Sequence, residues 1–83
     1  MRIGEIRSGM KGVQIEGKIV NMNGFMLVLD DGSGQTFVRY SNRNLSQPVR
    51  KGDYVSIKNG EAVSYSGILQ LRLSRNGLVT VRH

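Results

Sequence analysis

The sequence predicts an all-β fold, a five-stranded Greek-key barrel, and three observations carry that prediction. Apolar and polar residues alternate over short runs, and no long helical periodicity is present. Turns bearing glycine or asparagine separate the runs; eleven glycines and a single proline among 83 residues suit such turns. The runs come as three strands, a long polar crossover and then a hairpin, which is a Greek-key order. Closure removes the exposed edges that an open sheet of this size would leave. An SH3-like barrel is the main rival.

The elements follow in order. Ile3–Met10 place Ile3, Ile6 and Met10 under the barrel as a loop or helical turn. Val13, Ile15 and Ile19 share one face of the first strand, and Gln14, Glu16 and Lys18 share the other. Gly17 inside that run marks a bulge or sharp bend. Asn21-Met22-Asn23-Gly24 is a hairpin loop leading to a second strand, Phe25–Leu29, with Phe25 assigned to the core. Asp30-Asp31-Gly32-Ser33-Gly34 then reverses the chain into a third strand, Gln35–Tyr40. Ser41–Gly52 is polar, contains Pro48 and reads as a crossover loop with room for one helical turn.

The fourth strand begins at Tyr54–Lys58, where Val55 and Ile57 alternate against Tyr54, Ser56 and Lys58. Asn59-Gly60 is a bulge or a turn, since Ala62-Val63 can prolong the strand. Tyr65-Ser66-Gly67 turns into a fifth strand, Ile68–Leu73, with Leu69, Leu71 and Leu73 opposite Ile68, Gln70 and Arg72. Arg75-Asn76-Gly77 reads as another hairpin-like turn before a last short strand, Leu78–Arg82. The order fits an OB-type barrel occupying residues 1–83 as one domain.

Composition narrows the function. The net charge is +6 and the pI about 10.3. The charge is uneven: residues 42–83 hold seven basic groups against two acidic ones, Asp53 and Glu61. Arginine outnumbers lysine eight to four, and arginine forks suit phosphate. A positive field of this kind attracts a polyanion. There are no cysteines, so disulfides and cysteine-ligated zinc are excluded, and the lone histidine is the last residue, His83. No metal or cofactor is expected. No apolar run approaches the roughly 18 residues of a membrane helix, and Met1-Arg2-Ile3-Gly4-Glu5 lacks a signal-peptide core. The expectation is a cytoplasmic protein with no membrane partner.

Catalysis finds little support. Of the six carboxylates only Asp30 and Asp31 are adjacent, and neighbours in a turn point apart. A nucleophile–histidine pair is implausible with a terminal histidine. Asp30–Gly34 lacks the length and distal glutamate of a calcium loop. Gly32-Ser33-Gly34 is too short for a phosphate loop and precedes a strand. The chain is read as a binding module, not an enzyme.

Over nearly its whole length the chain resembles the single OB domains of archaeal single-stranded DNA-binding proteins, relatives of replication protein A. Ile3-Gly4-Glu5-Ile6-Arg7-Ser8-Gly9-Met10 resembles their (V/I)-G-(D/E)-(I/L)-(R/K)-P-x-M opening, with Ser8 in place of proline. Val13–Val20 resembles their first strand, and Asp31-Gly32-Ser33-Gly34 their D-x-(T/S)-G turn. Lys51–Asn59 resembles G-(D/Q)-x-V-x-I-x-N, and Tyr65–Leu71 resembles (F/Y)-x-G-x-(L/V)-Q-L. Two departures weaken the likeness at the binding surface. The large aromatic expected seven residues after the turn glycine is Ser41, with Tyr40 one place earlier. A second tryptophan position in strand four is Glu61.

The resemblance implies an OB fold and single-stranded DNA as partner, with other replication or repair proteins beside it. OB folds bind oligonucleotides across strands two and three, between the loops joining strands one–two and four–five. Bases stack on aromatic rings there irrespective of sequence. The expected contacts are Phe37 for stacking and Arg39 for phosphate, provided Thr36 and Val38 point inward. Tyr40 is either core or platform. Tyr65 falls where the family pattern has a contacting aromatic, and Arg43, Lys58 and Arg72 are candidate phosphate contacts. The acidic turn Asp30–Gly34 sets the register of strand three; its carboxylates would repel phosphate. Two other readings remain: an RNA-binding OB module, and a structural OB domain mediating protein contacts. Glu61 and Ser41 at platform positions favour the latter.

Overall fold

The computed structural model describes residues 1–82; the lone histidine, His83, lies outside the described residues. The five strands are β1 (Val13–Met22), β2 (Met26–Asp30), β3 (Gln35–Arg39), β4 (Tyr54–Tyr65) and β5 (Ile68–Arg82). Single 3-10 turns lie at Ile3–Glu5 and Asn42–Asn44. The strands close into a barrel in the order β1-β2-β3-β5-β4. Neighbours run antiparallel except β3 and β5, which the crossover makes parallel. No helix among the described residues is long and apolar enough to cross a membrane.

Alternation builds the core. Ile15, Ile19, Leu27, Leu29, Val38, Val55, Ile57, Leu71 and Val79 all point inward and are fully buried. Each such side chain contributes about 1.5–3 kcal/mol relative to its exposed state. β1 serves two neighbours: Val13–Lys18 pair with β4, and Lys18–Met22 pair with β2, with a bulge between Ile19 and Asn21. Gly17 sits at that handover. A β-carbon there would lie 3.0 Å from the Asp30 carbonyl oxygen, so only glycine lets β2 come this close.

The expected turn at Arg75-Asn76-Gly77 does not form, and β5 runs unbroken through it. The reason lies in β4, which also continues past the register shift at Asn59, where φ is 59°. Tyr54–Lys58 pair with Leu78–Arg82, and Gly60–Tyr65 pair with Ile68–Leu73, so β4 holds β5 on both sides of residues 74–77, which bulge opposite the single Asn59. Asn59 Nδ2 donates to the Asn76 carbonyl at 3.1 Å across the bend. Gly77 serves close packing, since a β-carbon there would lie 2.8 Å from Leu73 Cβ.

Two segments seal the barrel. Ile3 and Ile6 are buried beneath it. The Ile3 amide donates to Asp31 Oδ2 at 2.8 Å, and the Gly4 amide to Ser33 Oγ at 3.0 Å. The acidic turn thus anchors the opening segment. At the other seal, Asn44 is buried and its Nδ2 donates to the carbonyls of Ser74 and Gly77 at 2.8 and 2.9 Å.

Candidate nucleic-acid interface

β3 keeps strict alternation, with Thr36 and Val38 buried and Gln35, Phe37 and Arg39 outward. Its neighbours carry the outward residues into two rows across the barrel. In one, Val28 of β2 faces Phe37, which faces Gln70 of β5, which faces Val63 of β4. In the next, Met26 faces Arg39, which faces Arg72, which faces Glu61. The first row is apolar except for Gln70; the second carries two adjacent cations between Met26 and Glu61.

Loops rise at both sides of the rows. Tyr65 and Ile68 flank the β4–β5 hairpin and are 45% and 51% exposed. Its two loop residues, Ser66 and Gly67, both have positive φ, 50° and 81°, which matches the primed turn favoured in two-residue hairpins. The Arg39 guanidinium carbon lies 5.8 Å from the centre of the Tyr65 ring. On the opposite side, Asn23 organises the β1–β2 loop. Its Oδ1 accepts the Phe25 and Met26 amides at 3.0 and 2.9 Å. A cleft of about 250 Å³ lies between this loop and Phe37, lined by Asn21, Met22, Asn23, Met26, Val28 and Phe37.

The structure therefore brings Phe37, Arg39, Tyr65 and Arg72 together. It does not bring the other candidates to them. Tyr40 is core: it is 9% exposed and follows Thr36 and Val38 in the inward phase. Its hydroxyl donates to the Asn23 carbonyl at 2.8 Å, so it ties down the β1–β2 loop. Lys58 lies beyond the β4 bulge beside Leu78, five positions from Val63, or about 16 Å along the strand. Arg43 belongs to the 3-10 turn at the sealed end, outside both rows. Arg72 is in place but pairs with Glu61 at 3.1 Å.

Phe25, expected in the core, is 55% exposed at the loop rim. It stands outside because its carbonyl pairs with the Tyr40 amide at 3.0 Å while the loop turns its side chain outward. Met26, Val28, Val63 and Gln70 were not singled out by sequence; only cross-strand register reveals them.

Acid borders the surface. Asp30 closes the β2–β3 end, accepting from Gln35 Nε2 at 2.9 Å and from the Gly32 amide at 2.7 Å. Those two bonds hold its carboxyl below the usual range. A larger cleft, about 690 Å³, lies beside the outer face of β1 and includes Glu16, Asp31 and Tyr54 in its lining. Its lining mixes Lys11 with Glu16 and Asp31, and none of the residues in the two rows lines it. Among the described residues no cluster of acids or histidines could hold a metal ion.

No protein-family model and no curated protein sequence matches the chain. Solved structures do resemble it. A replication factor A related protein from Methanobacterium thermoautotrophicum matches with a TM-score of 0.78 at 18% identity, over 96% of this chain and 87% of that one. An OB domain from Methanosarcina mazei matches with a TM-score of 0.70 at 14% identity, over 94% of this chain and 77% of that one. The barrel is an OB fold. The p202 HIN2 structure matches at 0.73 and 21% identity, over 87% of this chain and 42% of that one. At such identities the likeness is one of fold, as the β1-β2-β3-β5-β4 order of this OB barrel already indicates.

Proposed function

We propose that this OB barrel binds single-stranded nucleic acid, DNA in preference to RNA, in a replication or repair setting. One observation carries the reading: Phe37 and Arg39 face outward on β3, with Arg39 laid against Tyr65 of the β4–β5 hairpin. A base stacks on Phe37, and Arg39 meets the adjoining phosphate. Val28 and Met26 extend the apolar floor toward the β1–β2 loop. The +6 net charge draws the strand in. The reading involves binding without a catalytic step. DNA takes first place because the sequence motifs resemble those of archaeal single-stranded DNA-binding domains, and the similarity to a replication factor A related protein fits.

Titration with oligothymidylate and oligouridylate at about 50 and about 200 mM salt tests it. Both bind at low salt, thymidylate more tightly, with a log–log salt slope of about −0.7 per phosphate contacted. Phe37→Ala weakens binding by about 1–3 kcal/mol and leaves the fold intact. Tighter binding of uridylate would move the protein to RNA. No binding of either at low salt would leave a domain that contacts proteins instead.

A further inference from the structure

We propose that Gln70 reads the hydrogen-bonding edge of the base stacked on Phe37, so that this site checks a base rather than merely stacking it. The proposal rests on the reading that Phe37 stacks a base. Its own support is independent of that: Gln70 is the one polar residue in the row Val28–Phe37–Gln70–Val63. Its Oε1 is shielded from solvent and accepts no hydrogen bond from any described residue. Buried acceptors are almost always paired, by protein or by water, so an unpaired one beside an exposed aromatic calls for a partner. A glutamine that served only as surface would extend its amide into water.

Position makes the amide useful. Gln70 pairs directly with Phe37 across the β3–β5 joint, and adjacent strands lie about 4.8 Å apart. A base lying flat on the Phe37 ring therefore overhangs the neighbouring strand and brings its edge to the amide. A carboxamide offers an acceptor and a donor side by side, which matches the paired donor and acceptor on a base edge. Arg72, two residues along β5 on the same face, already pairs with Glu61 and does not compete for the amide oxygen. The ligand class is a nucleobase carrying a free ring or exocyclic N–H; a ring without one stacks and leaves Oε1 unpaired.

The test compares oligothymidylate with the same oligomer built from N3-methylthymidine, which keeps the ring but loses the imide N–H. Wild-type protein binds the methylated strand about tenfold more weakly, within the range of a lost base-edge contact. Gln70→Leu binds plain thymidylate about as weakly as wild type binds the methylated strand, and is indifferent to methylation. A thermal melt of Gln70→Leu checks that the apolar row has kept its fold; if it has not, Gln70→Met, close in length but without the amide, takes its place and is likewise indifferent to methylation. Equal loss on methylation in wild type and variant overturns the role of Gln70, as does an unchanged affinity of Gln70→Leu. In either case a persistent effect of Phe37→Ala shows that the stacking site survives. Failure of wild type to bind thymidylate at all sinks both.

Discussion

The Arg39 guanidinium lies 5.8 Å from the centre of the Tyr65 ring, linking the end of β3 to the β4–β5 hairpin. At this exposure the contact contributes about 0.5–1 kcal/mol to stability, so its main effect is to orient the guanidinium.

Arg39→Ala should therefore cost little stability and much binding. The salt slope becomes shallower by about 0.7, one phosphate contact. Arg39→Lys keeps the charge and the slope but loses the planar stacking surface, and its affinity falls between the two. Salt titrations of the three proteins decide this; an unchanged slope in Arg39→Ala means that Arg39 meets no phosphate.

Glu61 restrains the surface. It holds Arg72 at 3.1 Å, with Arg72 half exposed and Glu61 about a third exposed. Such pairs add about 0–1 kcal/mol to stability, so the fold can spare it. Glu61→Gln frees Arg72 beside Arg39, and the affinity for single strands rises several-fold at low salt, with a steeper slope. An affinity that stays level would show that Arg72 lies outside the strand's path.

Asp31 links acidity to stability. Burial resists its ionisation, but bonds from the Ser33 hydroxyl and the Ile3 and Ser33 amides outweigh that and lower its pKa. A carboxyl lowered in the folded state adds stability above its unfolded value, near 3.8, and loses it as pH falls through the folded value. Asp31→Ala removes the anchor of Ile3, a loss of about 1 kcal/mol or more. The melting temperature drops by about 4–8 °C at pH 7. The gap between variant and wild type closes as pH falls well below 3.8. A gap that is constant with pH would mean that the carboxylate charge is irrelevant to the anchor.

Gly17→Ala tests the close approach of β1 and β2. The new methyl would meet the Asp30 carbonyl at 3.0 Å, and that atom is backbone. Overpacking of this kind costs about 1–3 kcal/mol. Denaturant melts read the cost directly; a neutral result means that β2 can shift outward freely.

Much of the fold was legible because alternation is a local signal. The alternation of β3 allows two phases, and the structure has the one with Thr36 and Val38 inward and Phe37 and Arg39 outward. Tyr40 was not legible, because what settles it is the Asn23 carbonyl seventeen residues away. Phe25 misled for a related reason: aromatic character argues for burial, while the Asn23 loop geometry turns it out. The false turn at Arg75-Asn76-Gly77 shows tertiary pairing overriding turn chemistry, since β4 pairs with β5 on both sides of residues 74–77 and leaves them a bulge within the strand. The interface rows depend on which residue faces which across strands, and register is not written within any one strand.

The parallel joint between β3 and β5 is three register pairs long, the shortest in the barrel, and it unites residues 33 apart in sequence. Such non-local closure is entropically costly to form. Phe37 and Arg39 stand on one lip of that joint, with Gln70 and Arg72 on the other. A strand bound across both lips acts as a stitch over the seam. Occupancy then slows amide hydrogen exchange at residues 37–39 and 70–72 more than elsewhere, and the ligand doubles as a fastener of the fold.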